Sequence, residues 1–60
     1  MHKTYELYFQ DDEQAPPAFE ALTCANDAEL VTALRRRLAE RQSKSVVVHE
    51  FGRELFTLNA

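Results

Sequence analysis

Few residues in this 60-residue chain have the types from which reactive sites are built. They are Cys24, His2 and His49, set among ten acidic residues. A thiol and an imidazole form a nucleophile and its base when they meet in space and the thiolate is activated. No Ser, Cys or carboxylate stands at a spacing from His49 that implies such a partnership, although the fold can bring Cys24 near it. His2, His49 and Cys24 match no zinc-ligand spacing. Gly52 is the only glycine, so the chain has no glycine-rich loop to cradle a phosphate. The expectation is a non-enzymatic protein with no metal and no cofactor. His49 is read as a strand residue at an interface or an exposed edge, and Cys24 as a small half-buried apolar group.

The second chemical feature is cationic. Arg36, Arg37, Arg41 and Lys44 follow one another where a helix should end. At 3.6 residues per turn, Arg37, Arg41 and Lys44 fall within about 60° of one another, with Arg36 on the solvent side. Guanidinium groups recognise phosphates and carboxylates through paired hydrogen bonds, so these four are the candidate contacts for an anion or a nucleic-acid backbone. Cations at a helix C-terminus also complement the dipole without binding anything, and that is the stronger reading. The acidic run Asp11-Asp12-Glu13 offers a third: it could meet the basic helix end of a neighbouring subunit. The formal charge of −3 is segregated, with residues 1–34 summing to −6 and residues 35–60 to +3. An acidic total disfavours non-specific nucleic-acid binding by the whole surface.

These residues need elements to hold them. Residues 3–10 alternate with period two, placing Tyr5, Leu7 and Phe9 on one side and Thr4, Glu6, Tyr8 and Gln10 on the other. The acidic run and the Pro16-Pro17 pair break the chain, and residues 19–23 read as a second strand. Asn26 followed by Glu29 is a capping-box signal for a helix. Leu30, Leu34 and Leu38, with Val31 beside them, form its apolar stripe, so the helix should run from Asp27 to about Gln42. A third strand begins at Ser45 and a fourth ends near Leu58, with Gly52 in the turn between them. Taking Gly52-Arg53 as the turn places His49 opposite Phe56 and Val47 opposite Leu58. Moving the turn by one residue still leaves Val47 and Phe56 on one face, with Val46, Val48 and Leu55 on the other.

The fold class that follows is α+β, a single domain over residues 1–60 in the order β-β-α-β-β. One helix packs on a four-stranded, mostly antiparallel sheet. Strand order 2-1-3-4 puts the aromatic first strand inside; 1-2-3-4 is the alternative. This layout is common among small bacterial proteins and does not fix a function. The last two strands are apolar on both faces, and one helix shields only one face. A chain this short has a marginal core and no internal disulfide to help it. The expectation is therefore a homodimer that also binds a protein partner, with the uncovered face as interface: Tyr8, Leu22, Val47, His49, Phe56 and Leu58. Nucleic acid is the alternative partner. No apolar stretch reaches the roughly 20 residues of a membrane-crossing helix, no apolar run follows the first basic residue as in a secretory signal, and the lone cysteine suits a reducing compartment. A cytoplasmic location is the expectation.

Overall fold

A computed structural model describes residues 2–60. Its elements run β1 (Lys3–Gln10), β2 (Ala18–Cys24), α1 (Asp27–Arg41), β3 (Ser45–Glu50) and β4 (Arg53–Asn59). The strands form one antiparallel sheet in the order β2-β1-β3-β4. The aromatic first strand is thus interior, as its composition demands, and β2 and β4 are the edges.

The helix covers one face of the sheet. Its stripe of Leu30, Leu34 and Leu38 is buried against Tyr5, Leu7 and Phe9 of β1, Val46 and Val48 of β3, and Cys24. Both helix ends are closed by local chemistry. Asn26 Oδ1 accepts the Glu29 N–H at 2.8 Å, while the Glu29 carboxylate accepts the N–H of Ala25, one residue before the cap. At the other end Gln42 turns left-handed, with φ of 56°. Its N–H then bonds to Ala39 O, and the Ser43 N–H bonds to Leu38 O at 3.0 Å, which satisfies carbonyls the helix would otherwise orphan.

The β3–β4 hairpin departs from the sequence expectation. Glu50 pairs with Arg53, so the central turn residues are Phe51 and Gly52, not Gly52 and Arg53. Both have positive φ, 54° and 75°, the geometry that matches the twist of a two-residue hairpin. A bulge follows at once. His49 pairs with Glu54 and Val48 with Phe56, which leaves Leu55 as an extra residue in β4. One inserted residue reverses the sides of everything beyond it. Phe56 and Leu58 therefore pair with Val48 and Val46 on the helix side, and Thr57 pairs with Val47 on the other.

Candidate interaction surfaces

The pairing registers write each face as rows running across the sheet. On the helix side the rows are Glu20–Leu7–Val48–Phe56 and Ala18–Phe9–Val46–Leu58, with Tyr5 beside Leu22. On the helix-free side they are Ala21–Glu6–His49–Glu54, then Phe19–Tyr8–Val47–Thr57, then Gln10–Ser45–Asn59. The six expected interface residues divide accordingly. Tyr8, Val47 and His49 share the helix-free face. Leu22, Phe56 and Leu58 lie on the helix side. Leu22 is there because Tyr5 pairs with it, and Phe56 and Leu58 because the Leu55 bulge turns them over.

The helix-free face is less apolar than the sequence implies. Its middle row carries Phe19, Tyr8 and Val47, and the rows to either side are polar. Tyr8 packs against Phe19 with ring centroids 5.4 Å apart and meets His49 edge-on at 4.9 Å. His49 lies between Glu6 on one strand and Glu54 on the other, its Nε2 4.0 Å from a Glu54 carboxylate oxygen. The Glu6 carboxylate also accepts the Gly52 N–H at 3.0 Å and so ties the hairpin turn to β1. Glu6 and Glu54 give this face a negative sign, and no Lys or Arg occupies its rows.

His49 and Cys24 sit on opposite faces of the sheet. Cys24 continues the alternation of Leu22 towards the helix, whereas His49 faces away from it. Cys24 is 2% exposed, and burial, reinforced by the nearby Glu29 charge, pushes its thiol pKa up against a smaller opposing effect of Arg37. A thiol so placed is held in its unreactive form. Among the described residues no three His, Cys, Asp or Glu side chains cluster as metal ligands.

The four cations at the helix end are gathered, but by the protein's own carboxylates. Glu20 on β2 accepts from Arg37 and, at 2.6 Å, from Arg41. Arg41 also pairs with Asp11 at 2.9 Å, and its guanidinium lies 4.6 Å above the Phe9 ring. Asp11 accepts from the buried Ser43 hydroxyl as well. These two partners, Ser43 first and Arg41 second, hold the Asp11 carboxyl below its ordinary pKa. Lys44 stands 3.5 Å from Glu13. The complementarity between the acidic run and the basic helix end is real, and it operates within one chain: it staples the β1–β2 connection onto α1. Of the four candidate anion contacts, Arg36 alone has no ion pair among the described residues. An open cleft of about 380 Å³ there is lined by Arg36, Arg37 and Arg41 together with Glu20 and Glu40.

Of the large apolar residues that stay exposed, sequence reading placed only Phe56 at an interface. Phe51 is 95% exposed at the hairpin tip, Phe19 57%, Leu55 44% and Phe56 36%. Three of these four belong to the β3–β4 hairpin. Among the described residues no helix is long and apolar enough to cross a membrane. Comparison with protein-family models, curated proteins and solved structures finds no match for this chain.

Proposed function

We propose that this chain is a non-enzymatic interaction module that acts as a homodimer and binds a protein partner. The observation that carries the reading is the pair of exposed large apolar side chains on the uncovered edge strand β4, Leu55 and Phe56, in a chain whose own core is small. A second copy is the cover always available to such a surface. The row Phe19–Tyr8–Val47, on the face without a helix, is the surface left for the protein partner. A buried lone thiol suits a reducing compartment, so the cytoplasm is the proposed setting.

The nucleic-acid alternative has less support. Phosphate contact needs free cations, and Arg37, Arg41 and Lys44 are engaged by Glu20, Asp11 and Glu13. Stacking on Tyr8 or Phe19 would bring phosphates towards Glu6 and Glu54. Sedimentation velocity from low to high micromolar concentration tests the main reading. A sedimentation coefficient that rises with concentration supports it. A monomer throughout refutes it.

A further inference from the structure

The self-association just proposed leaves the mode of joining open, and the two sheet edges and the helix-free face are not equivalent candidates. Packing two helix-free faces together would enclose Glu6 and Glu54 from each copy in a layer about 10 Å thick with no Lys or Arg on either surface. Charges so confined lose hydration, with only the His49 imidazole and the Gly52 N–H of each copy beside them. The β2 edge begins just after Pro16-Pro17, and its Glu20 is committed to Arg37 and Arg41. Prolines and charges are what keep an edge from pairing.

The β4 edge is guarded over only half its length. Arg53, Glu54 and the Leu55 bulge protect the first half. From Leu55 to Asn59 the strand reads Leu-Phe-Thr-Leu-Asn, without charge, proline or glycine. The helix does not close over it either. A groove of about 180 Å³ runs between α1 and the end of β4, lined by Arg35, Leu38, Ala39, Asn59 and Ala60. Phe56 ends one core row with 36% of its surface still exposed.

We propose that two copies join through this edge, residues 55–59 pairing antiparallel about a two-fold axis at Thr57 to make one eight-stranded sheet. Only certain registers keep every facing pair on a common side of the sheet, because the bulge has reversed the sides of residues before it. A two-fold at Thr57 satisfies this. Phe56 then faces Leu58 of the second copy, Leu55 faces Asn59, and Thr57 faces itself. The core row Ala18–Phe9–Val46–Leu58 runs on into Phe56–Val48–Leu7–Glu20 of the other copy, so apolar meets apolar across the seam. No like charges oppose each other, the same patch serves both copies, and the two-fold normal to the sheet puts both helices on one side. A seam of five residues buries on the order of 1,000 Å², the range of weak and reversible complexes. The dimer therefore dissociates on dilution, with micromolar or weaker affinity.

Cysteine cross-linking tests the seam. Facing residues of an antiparallel pair lie about 4.5–5.5 Å apart at Cα, within disulfide reach. Thr57→Cys should form a covalent dimer on mild oxidation. Leu55→Cys should not, because the two copies of that position lie four residues apart along the seam, roughly 14 Å. Native Cys24 is buried and unreactive, so it can stay. Thr57→Lys, which places like charges at the axis on an exposed side chain, should yield a monomer with unchanged circular dichroism and with the Tm of the wild type at concentrations where the wild type is itself dissociated. Suppose instead that the chain self-associates, Val47→Cys cross-links and Thr57→Cys does not, or that Thr57→Lys remains dimeric. Those results overturn the β4 seam while leaving self-association in place. A wild-type monomer at high micromolar concentration overturns both.

Discussion

Phe51 occupies a position that its chemistry does not favour. Its φ of 54° lies in the left-handed region, where the Cβ of an L-residue crowds the following carbonyl at a cost of about 1–2 kcal/mol. Gly52 beside it has φ of 75°, and the pair forms a two-residue turn in which both positions need positive φ. Asn-Gly is the sequence such turns prefer, because the short amide bonds locally and tolerates this region. Phe51 gives nothing back through burial, since 95% of its surface faces solvent. Phe51→Asn should therefore stabilise the fold by about 1 kcal/mol, most of the left-handed cost. For a domain of this size that is an increase in Tm of about 4–8 °C. Thermal unfolding followed by circular dichroism reads it directly. A lowered Tm would refute the reasoning, since it would mean that the aromatic ring makes a stabilising contact or that the turn is not left-handed. The same variant separates strain from use. The hairpin tip lies outside the proposed seam, so the dimerisation constant should not change; a loss of dimer would assign the ring to an interface and its strain to function.

Three further outcomes follow from the ion network and the buried thiol. Glu20→Gln removes the carboxylate shared by Arg37 and Arg41, whose side chains are 34% and 28% exposed, and should cost about 1 kcal/mol at low salt and less at high salt. Urea titrations at the two ionic strengths check this, and an equal loss at both would rule out an electrostatic origin. Asp11 has a lowered pKa in the folded state, so its contribution is present above the ordinary aspartate value of 3.8 and disappears as pH falls through the lowered value. Tm measured against pH should accordingly fall less steeply at the acid end for Asp11→Asn than for the wild type, and parallel curves would contradict the assignment. Cys24 should resist iodoacetamide in the native protein and react on unfolding, since it is buried with a raised pKa; rapid native labelling, read by mass spectrometry, would show that β2 opens near it.

The elements were legible because each is written in a strong local signal. Alternation over Lys3–Gln10, the Pro16-Pro17 break, the Asn26 cap and the leucine stripe at intervals of four place β1, the start of β2 and the helix within a residue or two. Interior placement of the aromatic strand gave the sheet order. What could not be read was the side on which Phe56 and Leu58 face. That depends on whether the chain spends one residue on a bulge, and Glu-Leu-Phe-Thr-Leu carries no mark of it: both registers put apolar residues on an apolar surface. The helix core, which can bury Phe56 and Leu58 beside Val48 and Val46, decides between them, and it exists only once the chain has folded. The basic helix end was legible as a cluster and opaque as a function for a similar reason. Arg37 and Arg41 find Glu20 and Asp11 at separations of 17, 21 and 30 residues, distances at which sequence pattern is silent.

The bulge also explains why an edge so apolar need not drive uncontrolled aggregation. Leu55 has no partner on β3, and the extra residue bends and twists β4 just where its charged half ends. That shortens the regular edge to residues 55–59, enough for a two-fold seam and too little for an open-ended stack. Deleting Leu55 tests this. Without it, His49–Glu54 and Val48–Phe56 become consecutive pairs of an unbroken ladder, and every side chain beyond keeps its face. Because Leu55 is 44% exposed and belongs to no core row, the deletion variant should fold with nearly unchanged circular dichroism. Its edge, now flat over the whole of β4, should associate more tightly, and sedimentation should show dimer at lower concentrations or larger species beyond it. If the variant instead fails to fold, the inserted residue is required by the hairpin itself and not only as a guard on its edge. If it folds and associates no more strongly than the wild type, the bulge is not what limits pairing at this edge.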